Sequence, residues 1–143
     1  MFVGDFAPRL DDKGRLFLPA KFRPLLSEGV VITRGQERCL YVYPQDDFVK
    51  IVESLRAKTE SNPQLRAYAR MLGSSGAHEV PDKQGRITIP TKLRDYAGLD
   101  RDCAVIGAVT RVEIWDTAIW NAYEGEHEAQ YAQGVGVDVP GVL

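Results

Sequence analysis

Residues 11–23 read DDKGRLFLPAKFR, and residues 82–94 of the same chain read DKQGRITIPTKLR. Alignment on Gly14 and Gly85 gives an offset of 71 residues, at which nine positions carry the same or a similar side chain. A second block downstream also matches, because CLYVYP at residues 39–44 and RVEIWD at residues 111–116 align at an offset of 72 residues. Two blocks in register indicate two copies of one supersecondary unit, and we name each quoted stretch a cassette.

Each cassette predicts a turn, a short strand and the start of a helix. The aspartate can bond its own backbone two residues on, and the glycine supplies a positive φ. Alternating aliphatic residues, such as Leu16 and Leu18, predict a strand with one buried face. A proline then ends the strand and opens a short helix, which Pro24 is expected to cut short in the first copy. The motif-shaping residues are Asp11, Gly14 and Pro19, and at the matching positions Asp82, Gly85 and Pro90.

The chain as a whole predicts a mainly β fold with helices, in the α+β class. Each cassette is followed by a predicted pair of strands, and apolar residues at helical spacing predict a helical hairpin between the copies. The Gly- and Val-rich end of the chain is either a frayed tail or a strand added at a partner's edge. The predicted segments are unit 1 at 5–47, a helical linker at 48–75, unit 2 at 76–119, a C-terminal helix at 120–133 and a tail at 134–143.

Charge is distributed unevenly along the chain. The net charge is −2, with 18 Lys and Arg against 20 Asp and Glu. Residues 1–70 carry 12 Lys and Arg against 9 Asp and Glu, whereas residues 71–143 carry 6 against 11. Any face that binds a polyanion must therefore be local and built from the cassettes.

The composition disfavours several classes of protein. No apolar run is long enough for a membrane helix, and no basic region followed by an apolar one opens the chain, which favours the cytoplasm. The two cysteines, Cys39 and Cys103, lie in apolar stretches and are expected to be buried and reduced, and no Cys/His spacing suggests a metal site. Phosphate-loop, metalloprotease and nucleophile-elbow motifs are missing from the sequence. We therefore expect no enzyme, no cofactor and no small-molecule substrate.

The repeated cations are the candidate functional residues. Arg15 and Arg86 each follow a glycine at a turn, where a long side chain projects freely and can fork onto a guanine edge or a phosphate. The predicted helix starts add backbone N–H groups suited to phosphate. The candidate DNA-binding residues are Arg15 and Arg86, followed by Lys13, Lys21, Arg23, Lys83, Lys92 and Arg94.

A purely structural role is the alternative for the same residues. Asp11 and Arg15 are four residues apart, as are Asp82 and Arg86, so each pair can be an ion pair that closes its turn. The remaining cations can be solvated side chains of a short helix. Repetition favours nucleic-acid binding, because a structural turn needs its aspartate and glycine but not four cations at matching positions.

The two Asp-x-x-x-Arg motifs, each followed by an aliphatic strand and Pro-x-Lys-hydrophobic-Arg, resemble the MraZ family of AbrB-like, swapped-hairpin proteins. The resemblance runs from the Met-Phe-x-Gly start to about residue 130. It implies two half-units that interleave as a pseudo-dimeric β-barrel. It also implies that chains assemble through their helices into a ring, octameric or larger.

The same resemblance implies a function. MraZ proteins are DNA-binding transcriptional regulators, often repressors, of the gene cluster for division and the cell wall, and they bind short direct repeats upstream of their own gene. For this chain it implies double-stranded DNA and further copies of itself as partners, no membrane, and a location at the nucleoid. The DNA contacts are expected first at Arg15 and Arg86. The second copy departs from the first at Gln84, which stands where the first copy has Lys13.

Two other functions remain as alternatives. The first is an oligomeric interaction protein without DNA affinity, in which the cations are structural or bind an acidic partner. The second is an AbrB-like antitoxin that neutralises a toxin. Such antitoxins usually have one hairpin unit and a disordered toxin-binding tail, so two units and about ten tail residues count against this alternative.

Overall fold

The computed structural model describes residues 1–134, so the predicted tail lies outside the described residues except for Gly134. The described residues form eight strands: β1 Phe2–Phe6, β2 Arg15–Phe17, β3 Val30–Arg34, β4 Leu40–Pro44, β5 Ala77–Glu79, β6 Arg86–Thr88, β7 Cys103–Val109 and β8 Val112–Asp116. They also form five α-helices: α1 Arg23–Leu26, α2 Gln45–Arg56, α3 Pro63–Ser75, α4 Thr91–Ala97 and α5 Thr117–Gln133. The predicted α+β class is confirmed.

Six strands form one antiparallel sheet in the order β1-β7-β8-β4-β3-β5. The two copies exchange their edge strands: β1 of the first copy pairs with β7 of the second, and β5 of the second pairs with β3 of the first. This exchange is the swapped arrangement that the resemblance implies. Among residues 1–134 the sheet ends at β1 and β5, so its hydrogen bonds do not run in a closed ring. The domain boundaries stay a prediction, because the exchange joins both units in one sheet.

The two cassettes meet in a separate two-stranded ribbon, made by β2 and β6. Leu16 lies opposite Ile87 in this ribbon, and these residues hold equivalent positions in the two copies. In the large sheet Tyr41 likewise lies opposite Glu113, its equivalent at the offset of 72. A pseudo-twofold axis therefore relates the copies and passes through both pairs.

The six-stranded sheet has two covered faces, and they carry different parts of the chain. On one face, Leu40 and Val42 pack with the ribbon residues Leu16 and Ile87 and with helices α1 and α4 in the main core. On the other face lies a second cluster of buried and partly buried side chains, formed with α2 and α5: Cys39, Tyr41, Tyr43, Phe48, Ile51, Ala104, Ile106, Trp115, Trp120 and Tyr123. Alternation along β4 produces this division, because neighbouring side chains point to opposite faces of a strand. The cassettes and the long helices thus lie on opposite sides of the sheet.

The first short helix differs from the sequence prediction. The chain turns at residues 20–22, and α1 begins only at Arg23, with Pro24 in its first turn. The prediction that Pro24 ends this helix is wrong. Proline suits the first turn because the N–H that it lacks would have no partner there in any case. In the second copy α4 begins directly after Pro90 and is capped by Gly98, which has a φ of 63°.

Both cysteines are buried and free, as the sequence predicts. Burial raises the pKa of the Cys103 thiol to about 11 and raises that of Cys39 further. Both thiols are therefore protonated and poorly reactive at neutral pH.

Candidate nucleic-acid interface

The turn of the first cassette is closed by the carboxylate of Asp11. Its Oδ1 accepts hydrogen bonds from the backbone N–H of Lys13 at 2.9 Å and of Arg15 at 2.8 Å. Its Oδ2 accepts a third bond, from Nε of Arg15, at 2.7 Å. The positive φ of Gly14, 77°, brings the chain round so that the Asp11 N–H reaches the Arg15 carbonyl at 2.9 Å.

The second cassette repeats this turn almost atom for atom. Asp82 accepts bonds from the backbone N–H of Gln84 and of Arg86, both at 2.9 Å, and from Nε of Arg86 at 2.8 Å. The change from Lys13 to Gln84 leaves the turn unaltered, because both residues bond the aspartate through their backbone N–H. Both ion pairs of the structural alternative are therefore present. In the described part of the chain they engage Nε alone, which leaves the terminal Nη donors of both arginines available to a ligand.

These hydrogen bonds favour the ionised form of each aspartate. The backbone N–H of Arg15, followed by its side chain, lowers the pKa of Asp11 from its ordinary value of 3.8. The backbone N–H and then the side chain of Arg86 lower the pKa of Asp82 from the same value. At neutral pH each turn therefore presents a charged, preorganised Asp–Arg pair.

We expect an acid-dependent loss of stability from this arrangement. Because both pKa values are depressed in the folded state, the stabilisation is fully present above about pH 3.8 and falls as the pH drops through the folded pKa. The midpoint of thermal unfolding, measured by circular dichroism from pH 6 to pH 2.5, should fall less steeply in Asp82→Asn than in the unchanged chain. Asp12→Asn is the matched control, and an equal flattening in that variant would contradict the assignment.

A second pair of arginines joins the two cassettes. Nε of Arg23 donates to the carbonyl of Leu18 at 3.0 Å, and Nε of Arg94 donates to the carbonyl of Ile89 at 3.0 Å. Each of these side chains also covers the turn glycine of the other copy. A Cβ added at Gly85 would lie 2.7 Å from Cδ of Arg23, and one added at Gly14 would lie 2.9 Å from Cζ of Arg94.

The lysines differ from the arginines in exposure. The four candidate arginines are all half-buried and held through Nε. The four candidate lysines are exposed, and none forms an ion pair within residues 1–134: Lys13, Lys21, Lys83 and Lys92. The arrangement thus combines anchored guanidinium groups, which suit geometric recognition, with mobile point charges, which suit phosphate.

The outward face of the ribbon brings the two key arginines together. Arg15 lies opposite Thr88 and Phe17 lies opposite Arg86, while the alternate residues point into the core. Phe17, 47% exposed, was missed by sequence reasoning as a member of this face. Side chains alternate between the two faces of a strand, so a residue two positions after Arg15 lies on the same face as Arg15, and this spacing could have identified Phe17. The helix start predicted at Pro19 is wrong, because the four-residue α1 begins only at Arg23, so the phosphate site expected there lacks its helix.

The described residues contain no group of three or more His, Cys, Asp or Glu side chains placed to hold a metal ion. None of the described helices has both the length and the apolar composition needed to span a bilayer.

Known proteins similar to this chain share one family. The chain matches the family model described as "MraZ protein, putative antitoxin-like" over residues 1–71 and 74–135. A protein of Salinispora arenicola named Transcriptional regulator MraZ is 60% identical over 132 residues, which cover 92% of this chain and 93% of the relative. Relatives of the same name from Kocuria rhizophila and Frankia casuarinae are 55% and 57% identical over 143 residues, 100% of each chain. These names describe regulators, which are not a class of enzyme. With its two cassettes and this similarity over its length, the chain belongs to the MraZ family of transcriptional regulators.

Proposed function

We propose that this protein regulates transcription by binding double-stranded DNA through the outward face of the ribbon and the two Asp–Arg turns. The observation that carries the proposal is the matched pair Arg15 and Arg86. Both are anchored by an aspartate through Nε, both keep Nη donors available, and both lie on one two-stranded ribbon. A stability role alone does not require free donors in the same place in both copies.

A two-stranded ribbon is an element that can read DNA. The major groove of B-DNA, about 12 Å wide, admits a two-stranded β-ribbon, and an arginine fork pairs with O6 and N7 of guanine. We assign base contacts first to Arg15 and Arg86. The surrounding cations contact phosphates and set the register of the protein on the duplex. These supporting residues are Lys13, Lys21, Arg23, Lys83, Lys92 and Arg94.

Binding to short direct repeats follows from assembly into a ring. The long helices lie on the side of the sheet opposite the ribbon, so contacts between chains through them leave the ribbon free. On α2, Val49 and Val52 are each about half exposed and lie one helical turn apart, so together they offer an apolar contact for a second chain. One chain offers few cations, whereas several linked chains add their contacts through effective concentration.

The proposed regulatory target is the DNA upstream of this chain's own gene and the division and cell-wall cluster. A ring bound across a promoter excludes other proteins from it, so the proposed effect is repression. The relatives named transcriptional regulators support the general role, and the resemblance to the family supports the target.

A salt titration tests the proposal directly. If four subunits each neutralise two or three phosphates, a log–log plot of affinity against salt should have a slope of about −7 to −11. The measurement is a gel shift with the upstream DNA at several salt concentrations, joined to DNase footprinting for the repeat spacing and to sedimentation for the size of the assembly. Absent or salt-insensitive binding would favour the interaction protein or the antitoxin-like role that the family description mentions.

A further inference from the structure

The outward face of the ribbon breaks the pseudo-twofold symmetry of the fold. The axis passes through the Leu16–Ile87 pair and exchanges Arg15 with Arg86, which are chemically identical. It also exchanges Phe17 with Thr88, which are not. An exposed aromatic ring therefore lies on one side of the axis only.

The surroundings of these two residues differ as well. Phe17 lies opposite Arg86, whose Cζ is 5.8 Å from the centroid of the ring. The backbone N–H of Thr88 instead donates to Oε1 of Glu79 at 3.2 Å. The position equivalent to Glu79 in the first copy is Pro8, which carries no charge. Both halves carry an Asp–Arg pair, but one half adds an apolar ring, whereas the other adds the carboxylate of Glu79, which repels phosphate.

Internal packing does not account for the ring of Phe17. Its side chain keeps 47% of its surface exposed, and its contact with Arg86 lies near the outer limit for a cation–π interaction. Thymine presents a 5-methyl group in the major groove, whereas cytosine has only a hydrogen at that position and the purines present mainly hydrogen-bonding groups. An apolar ring carried into the groove beside an arginine has that methyl group as its largest apolar partner on a base edge.

We propose that Phe17 is a specificity-determining residue, which packs against the 5-methyl group of a thymine next to the guanine contacted by Arg86. This inference rests on the proposed DNA-binding function. Because Thr88 presents no comparable surface, the contact forms on one side of the axis. Phe17 therefore fixes the orientation of each subunit on a site that the symmetric arginines alone would read in either direction.

The test compares two forms of the DNA upstream of this gene, amplified with thymine or with uracil, which lacks the methyl group. The unchanged chain should bind the uracil form about fourfold more weakly for each engaged subunit, because each subunit loses the burial of one methyl group. Phe17→Thr, which copies the second cassette, should bind both forms equally. Phe17→Leu should retain the discrimination because it keeps an apolar side chain, and Thr88→Ala is the matched control that should also retain it.

The possible results distinguish the role of Phe17 from the proposed DNA-binding function. Equal binding of both forms by the unchanged chain overturns the methyl contact, and discrimination that persists in Phe17→Thr assigns it to another residue. Failure of the unchanged chain to bind even the thymine form refutes the proposed function itself, and the binding measurement with the thymine form alone shows this. Single thymine-to-uracil changes should place the sensitive positions on one side of each repeat. The exchange Phe17→Thr with Thr88→Phe should move them to the other side, and unmoved positions contradict the orientation role.

Discussion

Replacement of Arg15 with alanine is expected to abolish specific binding to the upstream DNA while the fold stays intact. Within residues 1–134 its guanidinium is bonded only through Nε to Asp11, and ion pairs exposed to this degree contribute little to stability. Loss of a bidentate contact costs about 1–3 kcal/mol at each site, and several engaged subunits multiply this cost. We therefore expect affinity to fall by at least about 100-fold. A gel shift gives the affinity, and thermal unfolding of the same sample gives the stability.

Two further variants complete this experiment. Arg86→Ala removes the equivalent side chain of the second copy and shows whether both turns read DNA. Arg56→Ala is the matched control, since it removes the same charge from an exposed position at the end of α2, on the opposite side of the sheet. Sedimentation verifies that all variants assemble alike. If Arg15→Ala unfolds the protein but binds DNA normally once refolded, the Asp–Arg pair is structural and the proposal fails.

Replacement of Gly85 with alanine is expected to destabilise the protein by about 2–3 kcal/mol. Gly85 has a φ of 81°, in the left-handed region that a residue with a Cβ adopts at a cost of about 1–2 kcal/mol. The new Cβ would overlap the side chain of Arg23, which is held on the Leu18 carbonyl at 3.0 Å. The Gly85 carbonyl accepts the Leu18 N–H at 2.9 Å, so the strain reaches the contact between the two cassettes. Chemical denaturation measures the loss.

The substitution Gly125→Ala is a control that is not expected to destabilise the protein. Gly125 lies inside α5, and a Cβ added there meets nothing within 4 Å. Because alanine favours a helix interior over glycine by about 1 kcal/mol, Gly125→Ala is expected to be neutral or stabilising. Equal effects of the two substitutions would show that the turn tolerates a side chain, and the reciprocal packing of Arg23 over Gly85 would then be unimportant.

The local elements of the candidate site could be predicted from the sequence. Asp11, Gly14 and Arg15 interact within five residues, so turn chemistry alone indicates their arrangement. The start of α1 could not be predicted, because Pro24 suits both the end of a helix and its first turn. A proline inside a helix interrupts it, whereas a proline in the first turn is tolerated, and Pro24 lies in the first turn of α1.

Contacts between the two copies were beyond sequence reasoning. The pairing of β1 with β7, the packing of Arg23 over Gly85 and the meeting of Phe17 with Arg86 all join residues far apart in the chain. The alternation of apolar residues along a strand does not indicate which copy supplies the neighbouring strand, since both copies have similar aliphatic faces.

The sequence by itself determined that this chain has two equivalent units, each with a turn shaped by an aspartate and a glycine and followed by an arginine. Turns, alternation and helix ends depend on neighbours within a few residues, and the residue types at those positions encode them. Only the tertiary structure decided which strands the units exchange, that each aspartate holds its arginine, that both arginines share one ribbon, and that Phe17 faces outward on it. Those features depend on burial of one shared core by residues about 70 positions apart, and local sequence patterns do not specify such pairings.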